Sequence, residues 1–135
     1  MRFLMMVRTK GYESAAPDAV PSAEAVGKMM EYNKSLQQAG VLLALDGLLR
    51  PSTGARGSFS VTDGPFAESK QVIGGYWIIQ VRSREEAVEW AKRAPMSNNE
   101  IIEVRQIHEM GDFPKDVQKA AEGFEDLPNS VAAQA

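Results

Sequence analysis

The order of hydrophobic patterns along the chain predicts an α+β fold, a ferredoxin-like βαββ(β)αβ sandwich with an antiparallel sheet and two helices on one of its faces. Three observations carry this reading. Two stripes with helical spacing, near residues 22–39 and 83–94, each follow a short apolar run. Between them lie short apolar or alternating runs separated by Gly, Pro and Ser clusters, which read as strands and turns. A length of 135 residues suits one domain with one sizeable core, placed here at residues 1–110, with a C-terminal extension over 111–135.

Taken in order, "RFLMMV" (residues 2–7) reads as a strand buried on both faces, and residues 9–22 as a loop rich in Gly, Pro, Ser and Ala. Ser22 can cap the first helix, with Glu24 near the positive end of its dipole. Ala25, Met29, Tyr32, Leu36 and Ala39 share one stripe, and Gly40 is a natural residue just past the end. "VLLALDGLL" (41–49) reads as a strand with a turn at Asp46-Gly47, and "RPSTGARG" (50–57) as a loop. "SFSVT" (58–62) alternates and reads as a half-buried strand. "YWIIQV" (76–81), β-branched and aromatic, is the strongest strand signal. Ser83 and Glu86 have the spacing of a capping box. The helix they open carries Ala87, Val88, Trp90, Ala91 and Ala94, and Pro95 stops it. "IIEVRQI" (101–107) is a last strand, and "PKDVQKAAEGF" beyond it a short helix before a frayed tail.

Composition narrows the function classes. A formal net charge of −3 gives no basic field for direct nucleic-acid binding. The absence of cysteine excludes disulfides, thiolate metal sites and a Cys nucleophile. One histidine, His108, cannot build a His-rich metal site or a His–His relay, and it reads as a strand-end or surface residue. No phosphate-binding loop, dinucleotide glycine fingerprint, zinc-protease helix or nucleophile elbow occurs, so no cofactor is called for. No apolar run approaches the length of a membrane span, and the N-terminus, interrupted by Arg8 and Lys10, does not read as a signal peptide. The expected location is cytoplasmic.

The strands imply a partner. Residues 76–81 divide into Trp77, Ile79, Val81 on one face and Tyr76, Ile78, Gln80 on the other; residues 2–7 divide into Phe3, Met5, Val7 and Leu4, Met6. Both faces are apolar, yet two helices cover only one. An open apolar face of this kind points to a second subunit, most simply in a twofold homodimer.

The octet "DGPFAESK" (Asp63 to Lys70), followed by "IGGYWIIQVRSREEAVEWAKRAP" (Ile73 to Pro95) and "IEVRQI" (Ile102 to Ile107), resembles the DGPF-type branch of the YCII-related proteins; "AGVLLALDGLLRPS" (Ala39 to Ser52) resembles the segment before it. The resemblance covers about residues 1–110. It implies a dimeric α/β-barrel of ferredoxin-like subunits, and it allows a regulatory protein partner linked to extracytoplasmic-function sigma factors. The wider family has a His–Asp pair. This chain departs there, with Met29 or Met30 where the His is expected and Ala94 before Pro95, so the resemblance assigns no catalytic residue.

The candidate site follows from faces and loops. In "TDGPFAESK", Asp63-Gly64-Pro65 is a turn in which Asp caps, Gly tolerates positive φ and Pro fixes φ. Phe66 plugs the loop. Glu68 and Lys70 are either a solvated surface pair or, with Asp63, the polar rim of a cleft. Gly74-Gly75 marks a bulge or a close approach by the partner backbone or a ligand. If Trp77 packs under the helices, Tyr76 faces the cleft with a hydroxyl that needs a partner. Glu103 and Arg105 share that face, either as a salt bridge across the dimer or as a polar pocket with Arg105 as anion anchor. The expected function is binding of a small polar or amphipathic molecule in the cleft, with Tyr76 and Glu103 orienting it. A cofactor-free enzyme using the same cleft and a regulatory protein–protein module are the alternatives.

Overall fold

The structure, a computed structural model of the chain, describes residues 1–11, 21–49, 54–57, 61–63 and 71–123. Strand β1 spans Arg2–Lys10, helix α1 Ala23–Gln38, β2 Leu42–Gly47, β3 Ala55–Gly57, β4 Val61–Asp63, β5 Gln71–Gln80, helix α2 Arg84–Arg93, β6 Glu100–Gln106 and helix α3 Lys115–Ala120, with a 3₁₀ turn at Met110–Asp112. Four strands form an antiparallel sheet in the order β2-β5-β1-β6, and β3 and β4 pair as a separate ribbon. The central position of β1 and β5, with one helix in each crossover, is consistent with the ferredoxin-like arrangement.

One parity of the sheet builds the core. Phe3, Met5 and Val7 of β1 and Trp77 and Ile79 of β5 are buried together with Tyr32 and Leu36 of α1 and Ala87 of α2. Both long helices therefore lie on the same face. Helix α1 starts where expected: the Ser22 hydroxyl accepts from the Ala25 N–H at 3.1 Å, and Gly40 takes a positive φ of 74° after its end. Its buried stripe is Tyr32, Asn33 and Leu36, with Met29 partly buried; Ala25 and Ala39, expected on it, are exposed. The α2 cap is half of a capping box. Ser83 accepts from Glu86 N–H at 3.1 Å, but the Glu86 carboxylate accepts from Arg82 N–H at 2.9 Å, not from the cap residue itself.

Four boundaries differ from the sequence reading. β1 runs on to Lys10 because Arg8, Thr9 and Lys10 find partners in Ile73, Val72 and Gln71. Asp46-Gly47 is no turn: both residues stay in β2, opposite Tyr76 and Gly75. β5 begins at Gln71, so the glycine pair lies inside a strand and not at its mouth. Part of the expected 50–57 loop is β3, and the strand expected at 58–62 appears as β4 at Val61–Asp63; residues 58–60 lie outside the described residues.

Candidate functional site

The second face of the sheet carries no helix from the core layer. Its side chains fall into rows that the strand register fixes. Asp46, Tyr76, Met6 and Glu103 stand side by side across β2, β5, β1 and β6. The next row is Ala44, Ile78, Leu4 and Arg105; on the other side come Ile73, Arg8 and Ile101. The middle is apolar, with Leu4, Met6 and Ile78 half-buried, and charge gathers toward the two edge strands. At one end Arg2, which shares the parity of Leu4 and Met6, is only 11% exposed; Glu109 grips it through Nε at 2.9 Å and a second nitrogen at 3.3 Å.

On the β2 side the Tyr76 hydroxyl donates to an Asp46 carboxylate oxygen at 3.0 Å. Accepting that bond, and adding its negative charge, Asp46 holds the phenol above its ordinary pKa. On the β6 side one carboxylate serves two guanidiniums. Glu103 Oε1 lies 3.5 Å from Arg8 Nη1, and Oε2 lies 3.6 Å from Arg105 Nη1. Both distances exceed those of a tight charge-assisted hydrogen bond. Each guanidinium has five donors, so this contact leaves most of its capacity for another acceptor. Arg105 is 71% exposed and Glu103 35%. Among the described residues, one side of the face thus carries a local excess of positive charge and the other a single carboxylate.

The glycine pair is explained by packing. The β1–β5 register slips between Val7 and Arg8, which pair with Gly75 and Ile73, so Gly74 is the extra residue of a bulge. A Cβ on Gly75 would stand 3.1 Å from the Asp46 carbonyl oxygen. The approaching group is β2 backbone. The bulge also lets the Gly74 carbonyl accept from Leu48 N–H at 2.8 Å, which holds the end of β2 beside Tyr76.

The expected site residues therefore divide. Tyr76, Glu103 and Arg105 share one face as anticipated, although Tyr76 and Glu103 are two strands apart with Met6 between them. Asp63 is placed only as the last residue of β4. Glu68 and Lys70, with the Gly64-Pro65 turn and Phe66, lie outside the described residues. Arg8 and Asp46 were missed. Arg8 continues the alternation of Leu4 and Met6, a signal that was present; Asp46 was hidden by the turn character of Asp-Gly. His108 is exposed and stacks on Phe113 with ring centres 4.7 Å apart.

Two concave surfaces among the described residues lie elsewhere. An open groove of about 620 Å³ between α2 and β6 is lined by residues including Val88, Ala91, Met96, Ile102 and Val104, and a hollow of about 240 Å³ by Gln106, Ile107, His108 and Asp112. Neither includes an expected site residue. Among the described residues, no group of three or more His, Cys, Asp or Glu is arranged to hold a metal ion, and no helix is long and apolar enough to cross a membrane.

The YCII-related domain family matches residues 1–111, most of the chain, and the chain belongs to that family. Comparison with the curated proteins gives no match.

Proposed function

We propose that this YCII-related chain, read as a DGPF-type member, works as a homodimer whose open sheet faces meet, in a dimeric α/β-barrel, around a cleft that binds a small polar or amphipathic molecule. The observation that supports this is the open face itself: Leu4, Met6 and Ile78 form an apolar centre between the Tyr76–Asp46 pair and the Arg8–Glu103–Arg105 cluster. Apolar surface at that position gains by being covered, and polar groups at its margins fix the orientation of what is enclosed. In this reading Arg105 anchors an anionic group of the ligand, Tyr76 and Glu103 orient it by hydrogen bonds, and Asp63, Glu68 and Lys70 form the rim.

The test is a thermal-shift screen of small amphipathic carboxylates, sulfonates and phosphates on wild type and Arg105→Met. A thioether cannot replace a guanidinium as an anion anchor. The expected result is a set of anions that raise the wild-type melting temperature and lose that effect in Arg105→Met, with both proteins held at a concentration where they are dimeric. Anions that stabilise both proteins equally contradict the role of Arg105. Failure of every compound to stabilise the wild type contradicts the binding reading.

A further inference from the structure

The charges on the open face are arranged so that a second copy fits in one register and not in the other. On the β6 side lie Arg8 of β1 with Glu103 and Arg105 of β6, a net excess of one positive charge; among the described residues the charge of the β2 edge is Asp46, which accepts from the Tyr76 hydroxyl. Of the remaining charged side chains on this parity among the described residues, Arg2 is already held by Glu109, and Lys10 is exposed at the far end of β1. Covering the face as it stands desolvates a carboxylate on one side and an excess guanidinium on the other, and each needs a partner.

We propose that two copies stack with the twofold axis running along the strands, so that β2 of each lies over β6 of the other and Asp46 enters the Arg8–Glu103–Arg105 cluster of its mate. Resting on the self-association proposed above, this inference specifies how the partner is recognised. Asp46 and Glu103 occupy the same row at opposite edges, roughly 14 Å apart across three strand spacings. An axis along the strands exchanges the two edges at constant row. It brings Asp46 of one copy over Glu103 of the other, between Arg8 on one side and Arg105 on the other. Two carboxylates then meet two guanidiniums, and the four charges balance at both ends of the interface. An axis across the strands instead sets β2 over β2 and β6 over β6. Asp46 then faces Asp46, and the two cationic clusters face each other, a like-charge arrangement that costs affinity. Because Glu103 occupies only one nitrogen of Arg105, the same guanidinium can hold Asp46 of the second copy and still donate to a ligand anion.

The chain has no cysteine, so a single Ala44→Cys on the open face of β2 reports the register. The experiment combines a short bis-maleimide cross-linker on Ala44→Cys with sedimentation of Asp46→Lys, Arg105→Glu and their equimolar mixture. The expected result is a wild-type dimer, no Ala44→Cys homodimer cross-link, self-association weakened about tenfold or more in each charge variant alone, and recovery when the two are mixed. In the mixed pair, Lys meets Glu at one end and the native Asp meets the native Arg at the other. An efficient Ala44→Cys cross-link, or charge variants that associate as wild type does, overturns the register and leaves the dimer standing. A wild-type chain that sediments as a folded monomer overturns the self-association reading beneath it.

Discussion

The helix-covered face of the sheet and its open face place polar groups beside apolar side chains in opposite ways. On the covered face the polar atoms are few and closed on themselves. Trp77 Nε1 donates to Asn33 Oδ1 at 2.7 Å, and Tyr32 donates to the Trp90 carbonyl at 2.7 Å while its ring meets Trp77 edge-on at 5.4 Å. Both of these donors have a local acceptor, as burial demands. On the open face the contacts are longer, the charges carry spare hydrogen-bonding capacity, and the apolar centre is half-exposed. One face is complete within a single chain. The other leaves apolar surface and spare hydrogen-bonding capacity open.

If that contrast is right, substitutions on the two faces separate stability from association. The largest effect on folding belongs to Leu36→Ala. Leu36 is fully buried at the centre of the covered face, and its truncation should cost about 2–5 kcal/mol in denaturant unfolding. A cost below about 1 kcal/mol would show that this core is loosely packed and would weaken the comparison.

Asn33→Ala comes next. It strands the buried Trp77 N–H, for an expected loss of about 1–3 kcal/mol. Asn33→Asp should be far milder at neutral pH, because a carboxylate still accepts that bond; equal losses from the two variants would remove the hydrogen bond from the explanation.

Tyr32 supplies a pH signature of the covered face. Burial pushes its phenol up to about 12, against an ordinary value of 10.0. Between those values the folded chain holds a proton that the unfolded chain has lost, so stability falls as pH rises through the window and is fully present below it. The slope attributable to this group is at most about 1.4 kcal/mol per pH unit. Unfolding followed from pH 9 to 12 should show a shallower decline in Tyr32→Phe; parallel profiles for the two proteins would place the loss on other groups.

The smallest effect on folding is expected on the open face. Arg105→Met, at a side chain 71% exposed, should change single-chain stability by less than about 0.5 kcal/mol under conditions where the protein is dilute. A larger loss in the monomer would make Arg105 a structural residue of its own chain and erase the distinction between the faces.

Much of this division was legible in the sequence. The period-two alternation assigned Trp77 and Ile79 to one face and Tyr76 and Ile78 to the other, and the structure buries the first pair and leaves the second half-exposed. The same alternation grouped Tyr76 with Glu103 and Arg105. What escaped was set by contacts between strands distant in sequence. Asp-Gly is a strong turn signal, but Asp46 and Gly47 are held extended by the ladder with β5. Gly74-Gly75 was legible as a bulge or a close approach, but local propensity does not show that the approaching group is the chain's own β2 backbone at the Asp46 carbonyl. Asn33 is not part of the apolar stripe read for the first helix; only the position of Trp77 makes it a core acceptor. Arg8 was left outside its strand because charge interrupted the apolar run, although its pairing with Ile73 and Ile101 continues the sheet.

Sedimentation velocity of the wild type beside Ile78→Asp tests the central claim most directly. Ile78 sits in the apolar middle of the open face, and an aspartate there places an unpaired charge where a second copy would bury it. The account predicts a wild-type dimer at micromolar concentration and an Ile78→Asp monomer with an unchanged circular dichroism spectrum. A wild-type chain that runs as a well-folded monomer, or an Ile78→Asp chain that dimerises as tightly as wild type, contradicts it.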